Sequence, residues 1–497
     1  MPGGDWQISG FGPAFENFLG GKRVYHTVPV TLFAGEEMKM VKETIKAKST
    51  ADFEVAPGPR GKFMLGSLTQ MQSKGTLLFY VGAWREFGDV SRFKMGPMTI
   101  HQVVRPEHIH HVLVQKSRNY VKGLSHDKLR VSLGRGILTS EGELWRRQRR
   151  LMQPTFTPKG VTRFAGVMAD ATRKMLERWQ DCQEGESLPI NLEMMRLAMS
   201  VISRSMFSID ISEGFAQAGE ALRFILEFTN QRTMTIIDPP LFLPTPMNRR
   251  LKWALKTIDD FLYRIIAERR QGAAGDDLLS VLMHARDPET GQAMSEKQLR
   301  DEVLITFFAG HETTAQLLTW AWYLLSGHPQ VEQKLHAELA EVLGGRTPAL
   351  QDVPQLPYTG MVIDETLRLY SPVAMLARDV VEDDEIGGYH IPGGSMVVIT
   401  PFITHRHPDF WEKPETFYPE HFTAERVQDR PRYAYYPFGA GQRICIGKHF
   451  ALLEATLILA EVAQRYQLRL VPGQQIDIEW AGTLRPDRDV MMTLHRR

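Results

Sequence analysis

One ten-residue stretch near the C-terminus, Phe438-Gly439-Ala440-Gly441-Gln442-Arg443-Ile444-Cys445-Ile446-Gly447, constrains this chain more than any other. Its glycines let the backbone turn tightly and approach a flat ligand closely. Beyond Cys445, Phe450, Leu452 and Leu453 begin a helical pattern that continues towards Ala463. The thiol is therefore expected at a helix N-terminus, where the dipole and free amides favour the thiolate. The same amides would donate to a metal-bound sulfur and tune the metal. Arg443, two residues earlier, can reach a carboxylate. The bland alternative is a buried structural cysteine beside a glycine turn, the commoner use of an arbitrary cysteine.

Composition narrows the setting. The chain has 497 residues, 59 Lys+Arg against 58 Asp+Glu, and no basic excess of the kind that nucleic-acid binding requires. Its only cysteines are Cys182 and Cys445, so no disulfide framework holds the fold. Cys182 lacks any comparable setting and reads as structural. No apolar run reaches the ~20 residues that span a bilayer, and the first twenty residues lack the basic start of a signal peptide. A cytoplasmic location is expected.

Amphipathic periodicity predicts helices over 162–180, 251–270 and 296–326, the last capped by Ser295. The prolines of Leu243-Pro244-Thr245-Pro246 are expected to break the chain before the second. Short strands are expected at 394–400 and 489–494. Within the third helix lies Ala309-Gly310-His311-Glu312-Thr313-Thr314. Gly310 weakens the helix and admits a ligand. The Thr313 hydroxyl can bond the freed carbonyl and, beside the acid Glu312, pass protons. A solvent-facing polar patch is the competing reading. A zinc hydrolase is a second, since His311-Glu312 begins a His-Glu-x-x-His pattern, but position 315 is Ala315. Glu107-His108-Ile109-His110-His111 reads as a surface helix rather than a metal site.

Phe438, Gly441, Arg443, Cys445 and Gly447 stand in the register Phe-x-x-Gly-x-Arg-x-Cys-x-Gly. The segment thereby resembles the signature of the cytochrome P-450 superfamily, soluble long-chain members acting on fatty acids or terpenoids included. The resemblance runs from about Pro57 to the C-terminus. It implies a mainly α structure with small β-sheets, the single triangular cytochrome P-450 fold, with haem between the long distal helix and the proximal cysteine-loop helix. Residues 1–50 would form an N-terminal extension of unknown role and 51–497 the haem domain. Cys445 would be the axial ligand of haem b, with Phe438, Gly439, Arg443 and Gly447 shaping the cofactor pocket. A thiolate ligand favours O–O cleavage.

Other motifs carry the resemblance further. Glu312 and Thr313 match the acid–threonine pair that delivers protons. Trp145 and Arg149 match a Trp-x-x-x-Arg segment facing a haem propionate, and Arg378 matches a third propionate ligand. Arg146, Arg147 and Arg150 read either as a solvated basic face or as a docking patch for an acidic electron-transfer partner. Glu365 and Arg368 match the structural Glu-x-x-Arg pair. The arginine that usually joins them is replaced by His421 in Pro419-Glu420-His421-Phe422. Phe307, Phe308, Ala309, Ala374, Met375, Thr483 and Leu484 would line the substrate space, a mostly apolar set that suits a fatty-acid, terpenoid or other lipid-like molecule.

The implied activity is O2-dependent monooxygenation. The sequence ends at Arg497, soon after the cysteine helix, so electrons are expected from separate proteins: a ferredoxin or flavodoxin with its reductase, or a diflavin reductase. NAD(P)H would be the ultimate donor. A peroxide-using or O2-independent haem-thiolate enzyme, and a non-catalytic haem sensor, are the alternatives.

Overall fold

Ser295 opens the longest described helix: its side-chain oxygen accepts from the Gln298 amide at 3.2 Å, a cap worth about 1 kcal/mol. The structure, a computed structural model, describes residues 54–208, 216–234, 240–272 and 277–497. The expected N-terminal extension over 1–50 lies outside them. The helices that position the site are α1 Gly142–Met152, α2 Ala165–Gln180, α3 Ile190–Phe207, α4 Pro246–Gln271, α5 Glu296–Gly327, α6 Pro357–Leu369 and α7 Lys448–Arg465.

Helix α5 is buried on nearly every side, as a central helix must be. It lies against α3 at Gly310, where an added Cβ would meet Ile202 at 2.9 Å. The close approach expected of a ligand at Gly310 is thus taken by a neighbouring helix. It meets α7 through Thr314, which bonds the buried acid Glu454.

Helix α4 begins five residues before the expected start. Thr245 accepts from the Asn248 amide and Pro246 occupies the first helical position, so the proline starts the helix it was expected to precede. The 162–180 expectation resolves into a 3-10 turn, Thr162–Phe164, followed by α2.

The main sheet contains β1 Val90–Met95, β2 Met98–Val103, β3 Tyr120–Val121, β4 Leu376–Val380 and β5 Met396–Ile399, in the order β1-β2-β5-β4-β3. Strands β2 and β5 are parallel, with Ile100 opposite Met396; the other pairs are antiparallel. Strands β6 Ile478–Trp480 and β7 Leu484–Pro486 form a small hairpin. The expected strand at 489–494 is Met491–Arg496, in a separate three-stranded sheet. Two acids at the start of α5 hold the loop before α1: Asp301 accepts from the Arg135 amide at 2.9 Å and Glu302 from the Ile137 amide at 2.8 Å. The described residues belong to one compact unit, Phe53–Arg497.

Candidate active site

The cysteine loop is closed by its own backbone, with the Cys445 amide donating to the Phe438 carbonyl at 2.8 Å. Gly439 and Gly441 both have positive φ, 71° and 66°. They differ in purpose. A Cβ on Gly441 would lie 2.1 Å from the Leu113 carbonyl oxygen, whereas one on Gly439 would meet nothing within 4 Å. Gly441 is needed for chain against chain, and Gly439 borders open space. Cys445 precedes α7 as expected, and the amides of Gly447 and Lys448 donate to its sulfur. Burial nevertheless pushes the thiol up, outweighing these amides and the Arg149 charge. Cys445 as a residue keeps exposed surface even though protein surrounds its thiol on most sides. It therefore looks into an internal space.

Helix α5 shows the same feature. Ala309 is exposed and Thr313 half-exposed in the middle of an otherwise buried helix. Four residues apart, they share one face. The Thr313 hydroxyl donates to the Ala309 carbonyl at 2.7 Å. Glu312 is buried and its carboxylate accepts from Thr483 on the β6–β7 turn at 2.6 Å.

Helix α1 braces the loop from the side. Arg149 donates to the Ile444 carbonyl at 2.9 Å, and the Arg443 guanidinium lies 3.8 Å over the buried Trp145 ring. Arg443 also bonds the Ser140 carbonyl and pairs with Glu141. Arg147 and Arg150 both reach the buried Asp287, so of the three basic residues considered as a docking patch Arg146 alone is exposed, paired with Glu143.

Arg378 on β4 is 7% exposed, and among the described residues its only bond is to the neighbouring Ala377 carbonyl. Burial, reinforced by Arg443, holds it down at about 10. Two residues that sequence reasoning missed join it. Lys122 donates to the Leu138 carbonyl at 2.6 Å and is lowered to about 7, by burial first and then by Arg378 and Arg443. His126 is held well below its ordinary value by burial and by the charges of Lys122 and Arg378. Glu141 is the carboxylate set against these cations. A buried group of this kind stays charged only with an anion beside it, so the residues fit a cofactor carrying carboxylates next to the partly exposed Cys445. Lys122 and His126 belong to no spaced motif; their signal is spatial.

The Glu365–Arg368 pair is fully buried and bidentate, both contacts at 2.7 Å. Arg368 also donates to the carbonyls of His405, Pro414 and Thr416, which uses all five of its N–H groups. His421 Nδ1 lies 3.2 Å from both Glu365 oxygens. Nearby, Arg430 stacks 3.8 Å over Trp411 and donates to the His421 carbonyl, which brings a cation near Glu365 that no sequence pattern marked.

Of the seven residues expected to line a substrate space, Ala374, Met375 and Leu484 share one apolar cluster, and Thr483, next to Leu484, bonds Glu312 on α5. Ala309 is open and Met375 and Phe308 are half-buried. Ala374 and Leu484 have no exposed surface and pack with Leu77. Phe307 turns to the back of α5, beside a small apolar void shared with Phe207, Phe261 and Val303. His311 follows it there, bonding the Phe307 carbonyl, and burial holds it at about 4. His108 is buried, unlike the surface helix expected for it, and the described residues contain no group of metal-ligating side chains.

The sequence matches the Cytochrome P450 family over residues 56–493. The chain belongs to the cytochrome P450 family. It is similar to cyclooctatin synthase of Streptomyces melanosporofaciens, 36% identical over 85% of this chain and 91% of the relative. It is also similar to cyclooctat-9-en-7-ol 5-monooxygenase of the same organism, 38% identical over 78% of this chain and 84% of the relative. The crystal structure of the cytochrome P450DA heme domain superposes with a TM-score of 0.83 at 27% identity, covering 90% of this chain and 98% of that one. The helix-rich architecture with small sheets is thus that of a P450 haem domain. The protein is a P450 monooxygenase, and membership implies a haem with a cysteine thiolate ligand and the use of O2 and redox partners. No described helix is long and apolar enough to cross a membrane.

Proposed function

We propose that this P450 inserts one oxygen atom from O2 into an apolar, lipid-like small molecule, of terpenoid rather than fatty-acid type. The observation that carries the site is the partly exposed Cys445, its sulfur held by two amides at the head of α7 beside a group of buried cations. Cys445 would ligate haem b, and Arg378, Lys122, Arg443, Arg149 and Trp145 would hold its propionate side, with Phe438, Gly439 and Gly447 shaping the loop. A thiolate-ligated haem supplies O2 activation and O–O cleavage. The protein's share is positioning. Ala309 keeps space open on α5, Thr313 offers a hydroxyl on the same face, and Glu312 next to it provides the exchangeable proton. Mostly apolar surroundings exclude water and admit an apolar substrate.

The terpenoid preference is supported by the relatives, one of which is by name a cyclooctat-9-en-7-ol 5-monooxygenase. No arginine is assigned to anchor a fatty-acid carboxylate. Electrons would come from a ferredoxin or flavodoxin with its reductase, or a diflavin reductase, fed by NAD(P)H.

The test is the absorption spectrum of reduced protein under carbon monoxide. A Soret band shifted far to the red, lost in Cys445→Ala, is expected. A band typical of histidine-ligated haem in fresh protein would overturn the ligand assignment. Turnover of cyclic terpene alcohols against fatty acids, with surrogate redox partners, tests the substrate class; preference for fatty acids would refute it.

A further inference from the structure

Three consecutive apolar residues stand out from the surface at one tight turn. Phe63 is 93% exposed, Met64 80% and Leu65 48%. The turn is built, not loose. Lys62 and Gly66 exchange backbone bonds of 2.8 Å in both directions, and the Ser67 amide donates to the Lys94 carbonyl on β1. Gly66 fits so closely that a Cβ there would lie 2.1 Å from the Lys94 oxygen, and one on Gly61 would meet the Gly66 backbone at 2.6 Å. Met64 itself takes a φ of 63°, a conformation costly for a side-chain-bearing residue. A fixed, strained turn that puts phenylalanine, methionine and leucine at its point is the reverse of what solubility selects.

The charge around the turn has one sign. From residue 55 to 85 and from 91 to 104 the sequence contains no Asp or Glu. Arg60, Lys62, Lys74 and Lys94 are all exposed, and none forms an ion pair among the described residues. Of the two acids between these stretches, Asp89 is already engaged by Arg105 and His407. With the whole chain at +1, this is a local concentration of positive charge around an apolar point.

We infer that the Phe63-Met64-Leu65 turn is a docking point for an anionic lipid bilayer. The apolar tip would enter below the headgroups while Arg60, Lys62, Lys74 and Lys94 lie among the lipid phosphates. Shape and charge favour this partner over others. A projecting point of three residues is far too small for a protein interface of about 1,200–2,000 Å², whereas a bilayer accepts a convex tip without a matching socket. Residues 1–53 are a poor electrostatic match, since they carry as many acidic as basic residues. The inference goes beyond the proposed reaction and does not depend on it, though an apolar substrate would be concentrated in the same bilayer.

The experiment uses the haem-loaded full chain with sedimented vesicles of phosphatidylcholine alone or mixed with phosphatidylglycerol. Binding to the mixed vesicles, weakened by salt and weak on phosphatidylcholine alone, is expected. The double change Phe63→Ser/Met64→Ser should lower the affinity about tenfold or more, and Lys62→Glu/Lys94→Glu should abolish the preference for the anionic lipid. These residues are exposed, so the carbon monoxide spectrum should be unchanged in each variant. No binding to mixed vesicles, or equal binding by the Phe63/Met64 variant, overturns the inference. A second measurement places an environment-sensitive dye at position 63 through Phe63→Cys in a Cys182→Ser background. Its emission should shift to the blue when mixed vesicles are added. Emission already blue without lipid, and unchanged by it, would mean that protein covers the turn, and would refute lipid docking.

Discussion

The hydroxyl of Thr483 donates to a carboxylate oxygen of Glu312 across 2.6 Å, although the two residues are 171 positions apart. The bond is buried and joins the acid beside Thr313 to the β6–β7 turn. The family resemblance places Thr483 beside the substrate, and this bond also makes it a support for the acid. Thr483→Val keeps the shape and removes the donor. Product formed per NAD(P)H consumed is expected to fall by about tenfold, and its pH profile to shift, while Thr483→Ser stays near wild type. Unchanged coupling in the valine variant would deny Thr483 this role.

Removing one partner from the Glu365–Arg368 pair strands a buried charge. Arg368→Leu is expected to destabilise the fold by about 3–5 kcal/mol, or to prevent haem loading altogether. His421→Ala loses only the 3.2 Å contacts and should cost about 1–2 kcal/mol. Thermal unfolding of the three proteins, followed by far-ultraviolet circular dichroism, should rank them in that order.

Arg378 is the buried cation most in want of an anion. If propionates supply it, Arg378→Met should lower the haem-to-protein ratio and speed haem loss to a scavenging protein. Lys122→Met should act in the same direction, more weakly because Lys122 is itself lowered towards neutrality. Equal haem retention in both variants would dissociate the cluster from cofactor binding.

Glu302 gives a pH prediction. Burial, partly offset by the Ile137 amide, pushes its carboxyl up to about 8. The folded state thus holds this proton more tightly than the unfolded chain does. The resulting stability is complete below the ordinary carboxyl range and is lost as pH rises to about 8. From this group alone the slope is about 1 kcal/mol per pH unit between about pH 5 and 8. Glu302→Gln keeps an acceptor for the Ile137 amide and should flatten that part of the curve. Identical slopes of apparent stability against pH would show that Glu302 does not carry the effect.

The parts legible in the sequence are those written by local rules. Ser295 caps α5 because a side-chain oxygen and a periodic run stand side by side, and Cys445 precedes α7 for the same kind of reason. The parts that stayed hidden depend on chain segments meeting. Nothing near position 122 or 126 signals that Lys122 and His126 will gather with Arg378. Nothing near 430 signals that Arg430 will lie over Trp411. Proline chemistry also misled at Pro246, where a breaker inside a helix is a starter at its first residue. Thr483 is legible in sequence, but its bond to Glu312, 171 positions away, is not.

The back of α5 carries a lesson for anyone redesigning selectivity. Phe307 stands only two residues before Ala309, yet a turn of ~200° separates their directions. Phe307 meets the void shared with Phe207 and Phe261, while Ala309 borders the open side. A mutant library built on linear closeness to Thr313 would waste much of its diversity on the wrong wall. Larger residues at 309 should reshape what fits, whereas changes at 307 should chiefly alter how firmly the ceiling is seated.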